Sequence, residues 1–76
     1  MAELKIGIVG AGGRMGQANI RQVIDTDGCI LVAASDMPGT SQIGQDAGQT
    51  AGKGIIGVKI TDDPSAVMAA SDAVIE

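Results

Sequence analysis

The residues with chemistry to offer lie near the start of the chain, in Ile8-Val9-Gly10-Ala11-Gly12-Gly13-Arg14-Met15-Gly16. None carries a nucleophile or a general base. What glycines offer is access. A glycine turn that opens a helix brings backbone N–H groups up to an anion that a Cβ would hold away. The first N–H groups of a helix are unpaired and sit at the positive end of its dipole. Gly10 permits a tight turn. Gly12 and Gly13 let the backbone approach a pyrophosphate, and Gly16 lets the helix lie close on a sheet. The spacing is G-x-x-G-x-x-G, at Gly10, Gly13 and Gly16. The commoner G-x-G-x-x-G form would place its third glycine at Met15. The competing reading is a glycine-rich turn that holds nothing.

The second element is Asp36, 20 residues beyond Gly16. An acid at about that distance accepts hydrogen bonds from the adenosine ribose hydroxyls in dinucleotide sites. Asp is equally at home opening a turn, here Asp36-Met37-Pro38-Gly39. Gly48-Gln49-Thr50-Ala51-Gly52-Lys53-Gly54 has the look of an ATPase phosphate loop. It is one residue short, and Gly54 replaces the hydroxyl that would hold magnesium. Cys29 has no His in the chain to activate it and reads as a packing residue. Beyond any contact Met15 makes as part of the glycine loop, Met15 and Met68 read as helix–sheet packing. One Cys and no His leave neither a disulfide framework nor a structural zinc site.

These residues need a scaffold, and the hydrophobic periods supply one. Leu4 to Val9 reads as a buried strand ended by glycines. From Arg14 the period changes: Gly16, Ile20, Val23 and Ile24 mark one face of a helix, with Gly28 as its C-terminal cap. Cys29 to Ala34 is a second buried strand, whose continuous apolar run suits a parallel sheet covered on both faces. Ser35 to Gly57 reads as a long irregular stretch, functional or mobile. Val58 to Ile60 is a short third strand. Asp63 caps a short helix through Ala70 that begins with Pro64. Ala73 to Glu76 begins a fourth strand, inside which the sequence stops; the chain is expected to be part of a longer protein.

The composition sets bounds. The chain has 76 residues, 45% of them hydrophobic, and no Phe, Trp or Tyr. Aromatics contribute the largest buried areas, so a domain this small without them is expected to be marginally stable on its own. The net charge is -4, and Lys5, Arg14, Arg21, Lys53 and Lys59 are scattered. No basic stripe for nucleic acid results, and no apolar run is long enough to span a bilayer. A cytoplasmic location is expected.

The loop Ile8 to Gly16, with its Arg14-Met15 pair, resembles the opening motif of bacterial dihydrodipicolinate reductases. The likeness continues through Ala33-Ala34-Ser35-Asp36, Ile43-Gly44-Gln45-Asp46-Ala47-Gly48, Gly57-Val58-Lys59-Ile60 and Asp72-Ala73-Val74-Ile75-Glu76. It implies an α/β fold: a Rossmann-type doubly wound parallel sheet, truncated after about four strands. Residues 1–76 would be an incomplete N-terminal dinucleotide-binding domain. The resemblance further implies reduction of hydroxy-tetrahydrodipicolinate with NADH or NADPH, in lysine and diaminopimelate biosynthesis, by a homotetramer. Gly10, Ala11, Gly12, Gly13, Arg14, Met15 and Gly16 would line the pyrophosphate, and Asp36 the ribose. Catalytic residues, the small-molecule substrate site and the tetramer contacts would lie in a C-terminal domain absent from this chain. Several family members carry Arg directly after the acid; Met37 stands there instead. NADH is therefore expected to be favoured, with Arg14 the remaining nearby cation. Two alternatives are another nicotinamide-dependent dehydrogenase of amino-acid metabolism, such as homoserine dehydrogenase, and a non-catalytic nucleotide-sensing module.

Overall fold

The computed structural model describes residues 3–76. Seven elements follow in order: β1 (Leu4–Val9), α1 (Arg14–Ile24), β2 (Cys29–Ser35), α2 (Ala47–Thr50), β3 (Ile60–Thr61), α3 (Pro64–Ala70) and β4 (Ala73–Ile75). The strands form one sheet in the order β3-β2-β1-β4. Every pairing is parallel. The strand order steps outward from β1 to β3 and then returns to the other side of β1. This is the Rossmann-type arrangement, which leaves a crevice at the carboxyl ends of the strands.

Helices cover both faces of the sheet. Ile20 and Val23 of α1 pack with Ile6, Ile8, Leu31, Ala34 and Ile60 in one buried cluster. On β1, Gly7 points the other way: a Cβ there would collide with Val67 and Ser71 at the α3 end of the fold. Val67 is fully buried on that second face. Successive strand residues point to opposite faces, so β1 feeds two thin cores. The absence of aromatics fits this plan, because small and β-branched side chains fill both layers.

The two main helices begin differently. α3 follows the pattern read from sequence, with Pro64 in its first turn and the Asp63 carboxylate accepting from the Ser65 N–H at 3.0 Å. α1 starts at Arg14 with Gly13 as N-cap, no side-chain cap and no acid in its first turn. Its end corrects the sequence reading. The cap is Asp25, whose N–H donates to the Arg21 carbonyl. Gly28 comes three residues later, at φ 86°, where the chain turns into β2.

The other corrections have physical causes. β3 is Ile60–Thr61 rather than 58–60, because the preceding segment pairs elsewhere. Lys59 forms an antiparallel bridge with Asp46, and the Val58 carbonyl accepts from Ala47 N–H at 2.7 Å. The stretch 35–57 is not structureless. It contains α2, and the Asp46 carboxylate organises it by accepting from the N–H groups of Gly48, Gln49, Ile56 and Gly57. Met15 and Met68 are 73% and 54% exposed. The buried stripe of α1 runs through Gly16, Ile20 and Val23, and that of α3 through Val67, leaving both methionines off the packed faces. Cys29 does pack, half-buried, against the core.

Candidate functional site

The glycine turn leaves β1 at its carboxyl end, beside the end of β2. Gly10 takes φ 84°, a left-handed conformation that a side chain would strain. The N–H groups of Gly10 and Ala11 both donate to the Ser35 carbonyl at 2.9 Å. Ala11 is fully buried. These two residues therefore build the turn and spend their donors on β2. Gly16 is forced by packing: a Cβ there would run into the Gly10 carbonyl and the Ala11 backbone. That contact presses α1 against the turn.

The donors aimed outward come next. Among the described residues, the N–H groups of Gly12, Gly13, Arg14 and Met15 have no hydrogen-bond acceptor. A Cβ built on Gly13 meets nothing within 4 Å. Unpaired N–H groups thus cluster at the start of an eleven-residue helix that carries no capping side chain. Water or an anion must satisfy them, and the helix dipole favours an anion.

Asp36 stands next to this turn. Its N–H donates to the Thr61 carbonyl at 2.9 Å, fixing the ends of β2 and β3 together. Its Oδ1 accepts from Met37 N–H at 2.9 Å. Its Oδ2 points at Gly12, where any Cβ would overlap it. No described residue donates to Oδ2, so one carboxylate oxygen is anchored and the other is free to accept. The turn after Asp36 begins one residue later than the sequence suggested. Thr40 N–H donates to the Met37 carbonyl at 3.3 Å, with Gly39 at φ 88°, the geometry Pro38-Gly39 favours.

Two further features were not read from sequence. Gln42 places its Oε1 3.1 Å from the same point beside Gly12. A cleft of about 160 Å³ opens beyond Asp36; Val9, Met37, Pro38 and Pro64 give it apolar walls, and Ser35 and Asp36 are among its polar residues. These residues come from three separate parts of the chain, so only the topology brings them together. A larger hollow of about 610 Å³ lies around Gln45, Asp46, Gln49 and Lys59. Its one acid is committed to backbone N–H groups. Desolvation pushes the Asp46 carboxyl up, but bonds from Ile56, Gln49, Gly57 and Gly48 outweigh it and hold the group below the usual range. That hollow is scaffold.

Comparison with known proteins gives the arrangement a family. Residues 4–76 match the family model described as dihydrodipicolinate reductase, N-terminus. The chain belongs to that family. It is 40% identical over 76 residues to the 4-hydroxy-tetrahydrodipicolinate reductase of Rhizobium meliloti, covering 100% of this chain and 31% of that protein. The reductase of Halorhodospira halophila is 52% identical over 73 residues, 96% of this chain and 27% of the relative. That of Aromatoleum aromaticum is 47% identical over 76 residues, 100% and 27% respectively. The chain thus spans roughly three-tenths of the length of these dihydrodipicolinate reductase relatives, with both the glycine turn and Asp36 inside the matched region.

Proposed function

We propose that this chain binds a nicotinamide dinucleotide for a reductase that converts hydroxy-tetrahydrodipicolinate to tetrahydrodipicolinate. The observation that carries this is the pairing of four unpaired N–H groups at the head of α1 with the free Oδ2 of Asp36 beside Gly12. A dinucleotide presents those two chemistries in that order: a pyrophosphate, then a ribose diol that donates hydrogen bonds. Gly12, Gly13, Arg14 and Met15 would hold the pyrophosphate through their N–H groups. Gly10, Ala11 and Gly16 would shape the turn that aims them. Asp36 would accept from the ribose hydroxyls. Met37 and Pro38 would flank the base in the apolar cleft.

When bound, the nicotinamide supplies a hydride. This chain's residues bind and orient it. No described residue in the site is a general acid, and the chain contains no His. Proton delivery and substrate binding belong, in this reading, to the remainder of a full-length, cytoplasmic homotetramer. NADH is the preferred reductant, because no cation follows Asp36.

Calorimetric titration of the full-length protein with NADH and NADPH tests the reading. Binding of NADH, weakened by Gly13→Val and by Asp36→Ala, is the expected result. Unchanged NADH affinity in both variants would overturn it.

A further inference from the structure

Two consecutive peptide planes of the glycine turn are held from one residue of α1. The Gln17 backbone N–H donates to the Gly13 carbonyl at 2.9 Å. The Gln17 side chain reaches back one peptide further, and its Nε2 donates to the Gly12 carbonyl at 3.4 Å. Among the described residues, no backbone N–H donates to the Gly12 carbonyl, so this amide is its one partner.

A trans peptide group is planar, and its C=O and N–H point in opposite directions. A bond that fixes the Gly12 carbonyl therefore fixes the Gly13 N–H, and one that fixes the Gly13 carbonyl fixes the Arg14 N–H. Both carbonyls turn towards Gln17, so both N–H groups turn away from it. Neither has an acceptor, and a Cβ on Gly13 meets nothing within 4 Å. The two planes differ in what secures them. The Gly13–Arg14 plane is held by an ordinary bond of the first helical turn. The Gly12–Gly13 plane lies ahead of the helix, between two residues without a Cβ, where the backbone is least constrained. No other described hydrogen bond stops that plane from turning over and taking the Gly13 N–H with it.

We propose that Gln17 is a positioning residue for anion binding: its side-chain amide locks the Gly12–Gly13 peptide with the Gly13 N–H aimed at the pyrophosphate. This rests on the dinucleotide reading above and adds to it a residue that itself touches no ligand. The glycines give the anion access, and the Gln17 amide gives the donor its direction.

Gln17→Met in the full-length protein removes the amide and keeps the length of the side chain and its helix propensity. Calorimetry should show NADH affinity falling by roughly two- to tenfold, the scale of one neutral hydrogen bond. Affinity for adenosine, which keeps the ribose diol and has no phosphate, should be unchanged when read by displacement of NADH. The melting temperature of the ligand-free variant should also be unchanged. Asp36→Ala is the reference, since it should weaken both ligands. Unchanged NADH affinity in Gln17→Met would overturn the proposal while leaving the dinucleotide reading intact. An equal loss for NADH and adenosine, or a lower ligand-free melting temperature, would mean that Gln17 supports the fold at large, which also overturns it. Failure of the unmutated protein to bind NADH would overturn the dinucleotide reading, and the proposal with it.

Discussion

The free carboxylate oxygen of Asp36 occupies the position that a Cβ on Gly12 would need. The two residues are 24 positions apart, and their contact joins the two halves of the candidate site. On the proposed dinucleotide reading it gives Gly12 a role beyond clearing room for a phosphate: it lets Asp36, the proposed ribose acceptor, come up against the turn proposed to hold the pyrophosphate.

Gly12→Ala should therefore act through Asp36. The obstructing atom is the end of a side chain, which can swing away, so the fold should survive. The displaced carboxylate should weaken NADH binding by about 1.5–3 kcal/mol, the range for a charge-assisted hydrogen bond, or roughly 10- to 100-fold. In a double-mutant cycle, Asp36→Ala should cost little more in the Gly12→Ala background than is already lost. Additive losses, measured by calorimetry, would mean that the two residues act independently.

Gly13 and Gly16 should behave oppositely. Around Gly13 there is open space, and its φ of -80° is one any residue can adopt. Gly13→Val should change stability by less than about 1 kcal/mol, the scale of a weaker helix cap, while abolishing dinucleotide binding. Gly16→Ala pushes a Cβ into the backbone of Gly10 and Ala11. Overpacking of that kind costs about 1–3 kcal/mol, so thermal unfolding should begin several degrees lower. Calorimetric melts of both variants without ligand check the contrast.

β1, α1, β2 and α3 were legible in the sequence because each declares itself locally. A buried run, a 3.6-residue stripe or a Pro after a capping Asp needs only its own neighbours. The segment 40–57 was illegible because its order comes from one carboxylate bonding residues 10 and 11 positions away, Ile56 and Gly57. The only local trace was Asp46 ahead of Ala47-Gly48-Gln49, an N-cap pattern hidden among glycines. The glycine turn and Asp36 were legible through their spacing. The cleft was not, since Val9, Pro38 and Pro64 meet only after β3 has paired with β2.

Asp46 should also make this segment sensitive to acid. Its folded-state carboxyl titrates below the ordinary Asp value, which is about 3.9. A depressed folded value means the ionised form stabilises the fold. That contribution is complete above the unfolded value and is lost as pH falls through about 3.9 towards the lower folded value. Asp46→Ala should lower the melting temperature at neutral pH and flatten its dependence below about pH 4. Limited proteolysis should then cut within 46–57, where the carboxylate no longer gathers the backbone. A variant as resistant as the unmutated protein would show that Lys59 pairing alone holds the loop.

Cofactor preference follows from what stands after Asp36. Met37 is 72% exposed, and its single hydrogen-bond donor, the backbone N–H, is already spent on Asp36 Oδ1. A 2′-phosphate at the ribose would meet the Asp36 carboxylate, a like charge, with no guanidinium beside it. NADH should therefore bind more tightly than NADPH. An Arg–phosphate contact is worth about 1.5–3 kcal/mol, so Met37→Arg should strengthen NADPH binding by roughly 10- to 100-fold and leave NADH nearly unchanged. Arg14 is exposed at the first position of α1, directly after the glycine turn. Arg14→Ala should weaken whatever NADPH binding the unmutated protein has more than it weakens NADH binding. Dissociation constants for both cofactors in low salt, across the unmutated protein and these two variants, test the assignment. Equal or tighter NADPH binding by the unmutated protein, persisting in Arg14→Ala, would mean that the 2′-position does not lie between Asp36 and Met37.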